Sequence, residues 1–313
     1  MDGRNVFVTG GAGYVGAVLV PELLSIGCHV TVYDLMIYGE DVLSKHPNLR
    51  VVKGDLRDEE LLGNVLPGHD SVIHLACISN DPSFELNPYL GRSINLDAFR
   101  PLVINSRNHG IERFIYASSS SVYGVKEETD VHEGMSLEPL TDYSRHKAEC
   151  EKILLEYEST DFTTVIIRPA TVCGYSPRQR LDVVVNILTN LAFHNRRITV
   201  FGGAQLRPNI HITDMINCYT AILFADSQKV AGNIYNVGYE NQSVQQIAET
   251  VKSIMGDDVE LINTSTDDNR SYHISSEKIR AELNFEPQRT VVDAVNDLLT
   301  AFNQDILRNS LED

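Results

Sequence analysis

A short apolar run, Val6-Phe7-Val8, passes directly into Thr9-Gly10-Gly11-Ala12-Gly13-Tyr14-Val15-Gly16, and a helical pattern continues to about Ile26. Glycines at 10, 13 and 16 within one strand–turn–helix unit restrict the fold more than any other feature. A turn this sharp needs a residue without Cβ, and a helix packed tightly on its strand leaves no room for side chains at the junction. The alternation then recurs. Strand-like runs at 30–33, 49–52, 71–75, 113–116 and 164–167 are interleaved with helical-period segments at 59–65, 94–108 and 143–157. Strands alternating with helices predict right-handed βαβ crossovers and an α/β fold built on a doubly wound parallel sheet. Pro21 falls inside the first helix, where an interior proline costs ~3 kcal/mol unless the helix bends. A kink is expected there rather than an end.

After about Arg168 the pattern changes. Strands become scarcer, Pro169, Pro177, Pro208 and several glycines interrupt the chain, and helical stretches recur at 182–193, 214–225, 244–255 and 291–303. With 313 residues and ~150 residues per domain, two domains are expected. Residues 1–168 form a Rossmann domain, with some later segments returning to it. Residues 169–313 form a smaller, mixed C-terminal substrate domain on the carboxyl edge of the sheet.

Twenty-six basic residues against 43 acidic ones give a net charge of −17. Such a surface repels phosphate backbones and anionic lipid, which argues against nucleic acid and membrane partners. An anionic ligand would need local devices: a helix N-terminus, backbone amides and a few arginines. Cys28, Cys77, Cys150, Cys173 and Cys218 are odd in number and contain no C-x-x-C pair. They predict neither a disulfide framework nor a zinc site. No apolar stretch approaches the ~18 residues of a membrane span, and no signal-peptide pattern opens the chain. The expectation is a cytoplasmic protein without a bound metal.

The glycine turn gains meaning from its surroundings. Unpaired N–H groups and the positive dipole end at the helix N-terminus suit a pyrophosphate. Asp34 ends the next strand, 18 residues after Gly16, where a carboxylate accepts both ribose hydroxyls of an adenosine and repels a 2′-phosphate. NAD is therefore favoured over NADP. Asp55-Leu56, after the third strand, is placed beside the adenine. In Tyr143-Ser144-Arg145-His146-Lys147 a phenol and an ammonium lie four residues apart, on one helical face. A phenol with a pKa near ~10 is a poor base at neutral pH, and a cation one turn away stabilises the phenolate. Tyr-x-x-x-Lys alone is common. Here it follows a serine cluster, Ser118-Ser119-Ser120-Ser121-Val122-Tyr123-Gly124, at the carboxyl edge of the fifth strand, where α/β ligands bind. A polar turn is the plain alternative for those serines.

Taken in order, the glycine turn, Asp55-Leu56, Ser-Ser-Ser-Ser-Val-Tyr-Gly, Tyr-x-x-x-Lys, Arg168-Pro169 and Arg207-Pro208-Asn209-Ile210-His211-Ile212-x-Asp214 resemble the extended short-chain dehydrogenase/reductases, specifically the nucleotide-sugar epimerase/dehydratase family. The resemblance spans essentially the whole chain. It implies Ser119, Tyr143 and Lys147 as catalytic residues. It further implies Gly10, Gly13, Tyr14, Val15, Gly16, Asp34, Asp55, Leu56, Leu75, Ala76, Tyr143 and Lys147 as NAD contacts. The family's 4,6-dehydratases carry an Asp-Glu pair where this chain has Ser120 and Ser121. The implied activity is therefore epimerisation of a nucleotide sugar, most simply at C4 of a UDP-hexose. Tyr143 removes a hydroxyl proton, the adjacent hydride passes to NAD, and the ketose takes the hydride back on its other face.

Arg207 matches the family arginine near the nucleotide, and Arg178 is a second basic group in an acidic chain. Where the family pattern reads Arg-x-Gly-Asp-Val-Arg, the first arginine and the glycine are replaced by Ser265 and Asp267. Arg270 or Arg178 is expected to substitute. Ser79 (in Ser79-Asn80-Asp81), Ser119 and Ser120 complete the expected substrate side. Related enzymes pair helices equivalent to 94–108 and 143–157 across a two-fold axis, which implies a homodimer. The alternatives are a nucleotide-4-keto-sugar reductase or dehydrogenase, and a non-catalytic NAD-binding scaffold.

Overall fold

The apolar runs at the start of the chain form strands β1 (Asn5–Thr9), β2 (His29–Asp34), β3 (Leu49–Lys53), β4 (Ser71–His74), β5 (Arg113–Ala117) and β6 (Thr163–Pro169). The computed structural model describes residues 3–79, 84, 86–266, 271 and 273–307. Farther along come β7 (Thr171–Cys173), β8 (Arg197–Phe201), β9 (Leu206–His211), β10 (Asn233–Val237), β11 (Glu240–Ser243) and β12 (Glu260–Thr264). Seven strands make one sheet in the order β10-β6-β5-β4-β1-β2-β3. Adjacent strands from β6 to β3 pair in parallel. The order steps outward in both directions from β1, as a doubly wound sheet requires.

The chain divides into two compact units. The first comprises residues up to Val122, Leu137–Arg168 and Cys218–Tyr235. The second comprises Tyr123–Ser136, Pro169–Asn217 and the chain from Asn236 onward. In the first, helices Glu59–Val65, Phe99–Asn108 and Asp142–Leu155 bury Leu62, Leu102, Val103 and Leu154 against Phe7, Phe114, Tyr116 and Ile166 of the sheet. The aromatic rings pack edge-on and tilted, with Phe99 and Tyr116 centroids 4.7 Å apart. Apolar area of this kind is the main favourable term in folding.

Three expectations are refined. The first helix, Gly16–Ser25, continues through Pro21, whose ring faces solvent on the exposed side of the helix. Helical structure expected from residue 94 begins earlier, at Pro88–Arg92, where Asn87 accepts a hydrogen bond from the Leu90 N–H (3.1 Å). It then passes through a π-helical turn at Ser93–Asp97. That turn directs Asn95 inward, where its side-chain amide pairs with both backbone groups of Ile78. The second unit also contains more strands than its sequence suggests. One small sheet has the order β11-β9-β7, another pairs β12 with β8, and helices Val184–Asn195, Val244–Met255 and Val291–Asn303 enclose Ile198 and Val200.

Arg113 is 1 % exposed at the start of β5. Its guanidinium donates to the carbonyls of Ile222, Leu223 and Ala225 and to the Ser227 hydroxyl at 2.6–2.8 Å. It thereby closes the C-terminal end of helix Ile212–Phe224, where helical carbonyls lack N–H partners and a cation meets the dipole favourably. Burial lowers its pKa to about 10, so it stays charged at neutral pH. Replacing Arg113 with Met should lower the unfolding free energy by about 3 kcal/mol, because several buried acceptors lose their donor together. Arg113→Lys should recover only part, since an ammonium cannot span the four acceptors. Urea denaturation measures both, and an unchanged midpoint for Arg113→Met would refute this role.

Candidate active site

The glycine turn is shaped by close backbone approach. Gly10 has φ +72°, and a Cβ there would lie 2.6 Å from the Ala76 nitrogen. A Cβ on Gly16 would lie 2.5 Å from the Gly11 carbonyl oxygen. At Gly13 the nearest atom to a Cβ is the Gly10 oxygen at 3.2 Å, leaving one side of the turn open. No side chain caps the helix that follows, so its N-terminal dipole is available to an anion.

Asp34 ends β2 beside this turn. Its Oδ2 accepts the Ala12 N–H at 3.0 Å and its Oδ1 the Met36 N–H at 2.8 Å. Each carboxylate oxygen keeps a further lone pair, so the two bonds aim the group while leaving it able to accept ribose hydroxyls. Asp55 is more committed: Arg57 donates to its carboxylate through Nε and Nη2, an interaction that lowers its pKa. The Asp55 carbonyl accepts the Tyr33 hydroxyl at 2.7 Å. Leu56 is buried, and Leu75-Ala76 leaves β4 against the Gly10 turn, with the Leu75 N–H bonded to the Thr9 carbonyl at 3.0 Å. The cradle, the uncapped helix and the aimed carboxylate fit an adenosine diphosphate moiety.

Tyr143 and Lys147 lie in the first turns of helix Asp142–Leu155. A capping box fixes its start: Thr141 accepts the Ser144 N–H, and the Ser144 hydroxyl accepts the Thr141 N–H. Lys147 is buried, and its Nζ donates to the Ala117 carbonyl at 2.6 Å. The ammonium sits 4.9 Å from the Tyr116 ring centroid and 5.7 Å from that of Tyr143. Burial opposes the charge, but Cys77, Tyr143 and Cys150 around it outweigh burial and raise the Lys147 pKa. Ser119 follows two residues after Ala117. Its Oγ accepts the Ser121 N–H at 3.1 Å and pairs with the Ser121 hydroxyl at 2.8 Å, while Ser120 is buried. Tyr143 also lines a pocket of about 230 Å³ with Phe84, Pro88, Leu140, Thr141, Asp142 and Arg145.

Ser119, Tyr143, Lys147, the glycine turn and Asp34 thus all belong to the first unit. Ser79 belongs to it as well and is exposed after β4. Arg178 and Arg207 belong to the second unit. Arg207 is half-buried on β9 and donates to the Leu206 carbonyl, and Arg178 donates to the Gln179 carbonyl. Arg270, with Asn80 and Asp81, lies outside the described residues. His211 is buried, its Nδ1 accepting the Thr213 N–H and its Nε2 paired with Asp297. Cys173 is buried with its pKa pushed up, and its thiol faces the Ile210 carbonyl. Glu151 carries no role in the sequence reading, although it continues the Tyr143, Lys147 spacing by another four residues and bonds Ser118 and Arg168 inside the unit. No helix among the described residues is long and apolar enough to cross a membrane.

The chain also resembles known proteins in sequence and in fold. The sequence model of the NAD dependent epimerase/dehydratase family matches residues 6–238. An uncharacterized UDP-glucose epimerase, YtcB, of Bacillus subtilis is 32% identical over 80% of this chain and 82% of its own. A dTDP-glucose 4,6-dehydratase of Streptomyces niveus is 26% identical over 93% and 90%. The solved structure of MoeE5 in complex with UDP-glucose and NAD superposes with a TM-score of 0.84 at 25% identity, covering 97% of this chain and all of the other.

His74 ends β4 beneath these groups, its Nδ1 paired with the Thr9 hydroxyl at 2.7 Å and its ring stacked on Tyr116. Burial, aided by the Lys147 charge, lowers its pKa from 6.5 to about 3. The imidazole is neutral in the folded protein, whereas the unfolded chain binds a proton below about 6.5. Stability should therefore fall as pH drops from 6.5 toward 3, by about 4–5 kcal/mol over the full window from this group. Urea midpoints measured between pH 7 and pH 4 should decline less steeply in His74→Gln than in the wild type. Equal slopes would mean that the folded protein protonates His74 readily.

Proposed function

The chain belongs to the NAD-dependent epimerase/dehydratase family, and within it we propose an epimerase of nucleotide-activated hexoses that inverts C4 of a UDP-sugar through a transient ketone. The observation that carries this reading is the Ser119-Ser120-Ser121 turn. Removing water from neighbouring carbons needs an additional acid and base beside the hydroxyl chemistry. The two positions after Ser119 offer only hydroxyls, one buried and one bonded to Ser119 itself. The carboxylate that reaches this segment, Glu151, is closed off by Arg168. The resemblance to YtcB supports the same substrate class.

Gly10, Gly13, Tyr14, Val15 and Gly16 would hold the diphosphate of NAD, with Asp34 on the adenosine ribose. Asp55, Leu56, Leu75 and Ala76 would line the adenine side, and Tyr143 and Lys147 would meet the nicotinamide ribose. The chemistry that bound NAD supplies is reversible acceptance of a hydride. Tyr143 Oη takes the proton from the substrate hydroxyl and later returns it. The Lys147 ammonium favours the phenolate form that accepts this proton. Ser119 Oγ hydrogen-bonds the same substrate oxygen as it changes between hydroxyl and carbonyl, with Ser120, next to it in sequence, and Ser79, after β4, proposed as further polar contacts. Arg207 and Arg178 are the cations proposed for the substrate's diphosphate.

Replacing Tyr143 with Phe keeps the ring and deletes the proton carrier. Turnover of UDP-galactose to UDP-glucose should fall by roughly 10²–10⁴-fold, equivalent to about 3–5 kcal/mol. A substrate deuterated at C4 should keep its label in the product, with no NADH appearing in solution. Released NADH would instead favour a dehydrogenase, and wild-type turnover by Tyr143→Phe would overturn the assignment. A separate change tests the cofactor side. Asp34→Ala should weaken NAD binding and relax discrimination against NADP, as read by calorimetric titration, and a wild-type preference for NADP would refute the role given to Asp34.

A further inference from the structure

Glu151 is a carboxylate that the proton chemistry above does not use, yet it is one of the most enclosed charges in the first unit, at 2 % exposure. Its Oε2 accepts Arg168 Nη2 at 2.6 Å, and its Oε1 accepts both Arg168 Nε at 3.0 Å and the Ser118 hydroxyl. Arg168 and Ser118 are also buried. The Ser118 N–H is bonded in turn to the carbonyl of Ile167, the residue before Arg168. A closed ring of contacts therefore joins the end of β5, helix Asp142–Leu155 and the end of β6.

The position of this ring matters more than its strength. Tyr143, Lys147 and Glu151 follow one another at intervals of four on a single helix, so they rise along one face. Lys147 holds Ala117 through its carbonyl, and Glu151 holds Ser118 through its hydroxyl. The two residues immediately before Ser119 are thus each gripped from the face that carries Tyr143. A buried ion pair is a poor device for stability, because well-packed apolar residues of similar volume are often as good or better. Its usefulness here lies in direction: a two-pronged guanidinium fixes the carboxylate plane, and the carboxylate fixes one hydroxyl.

We infer that Glu151 is a positioning residue, which locks the Ser119 turn to the helix bearing Tyr143 and Lys147 and so sets the serine hydroxyl against the phenol. This rests on the roles proposed above for those three residues. Misplacement of a reacting group by about an ångström can cost roughly 100-fold in rate, so the lock should appear in turnover before it appears in binding.

The experiment uses the full chain with NAD and follows UDP-galactose conversion, thermal unfolding, and hydrogen exchange of the segment around Ser118–Ser121. Ser118→Ala removes one prong and leaves the ion pair intact. It should keep its melting temperature and KM, lower kcat by roughly 10- to 100-fold, and speed exchange in that segment. Glu151→Gln should lower kcat further but can also lose stability, so the informative partner is the double change Glu151→Leu with Arg168→Met. This apolar pair should regain the melting temperature without regaining kcat. Wild-type kcat in Ser118→Ala and in a stable double variant would overturn the inference, as would unchanged exchange in Ser118→Ala. A wild-type protein that inverts no nucleotide sugar would instead defeat the function proposed above, and exchange would then decide the anchoring by itself.

Discussion

The buried ammonium of Lys147 is the interaction on which the candidate site depends. A cation taken out of water must be paired or hydrogen-bonded, and the three buried cations among the described residues of the first unit meet that demand differently. Arg168 is neutralised by Glu151. Arg113 is satisfied by the carbonyls ending a helix. Lys147 has the Ala117 carbonyl, two aromatic faces and the Cys77 side chain. These partners hold its charge one helical turn from Tyr143. A carboxylate partner would have quenched the field that makes a phenolate tolerable there; a carbonyl dipole orients the ammonium without doing so.

Much of this was legible in the sequence, for reasons that differ from residue to residue. The glycine turn could be read because backbone crowding at Gly10 and Gly16 admits no side chain, so the constraint is written directly as residue type. Tyr143 and Lys147 could be read because helical spacing converts a sequence interval into a shared face. The start of the helical stretch before residue 94 was missed although Asn87-Pro88 is a strong N-terminal signal; the π-turn at Ser93–Asp97 shifts the apolar period and hides the continuity. In the second unit, β11 has the sequence Glu240-Asn241-Gln242-Ser243. No hydrophobic alternation marks such a strand, since its pairing with β9 comes from backbone hydrogen bonds rather than a buried face.

Glu151 was illegible for another reason. Alone in a helix it reads as one more solvated acid of a chain with 43 of them. Only the fold brings Ser118 and Arg168, 33 positions before it and 17 after it, onto its two oxygens. Long-range polar partners of this kind leave no local period, whereas cores and caps do.

The surroundings of Tyr143 and Lys147 also bear on which reaction the site suits. Burial keeps His74 neutral down to about pH 3, pushes the Cys150 thiol up to about 12, and raises the phenols of Tyr116 and Tyr219. Near neutral pH each of these groups is fixed in its uncharged form and can neither give nor take a proton readily. A proton that leaves a substrate hydroxyl is then not taken up by these groups, and none of them competes with the role proposed for Tyr143. Epimerisation asks for no more than that, because the oxygen that loses the proton is the oxygen that recovers it. Dehydration asks for another acid and another base, and His74, Cys150, Tyr116 and Tyr219 are not suited to be either. The serines at 120 and 121 and the uncharged groups around Lys147 are both consistent with the reversible chemistry proposed above.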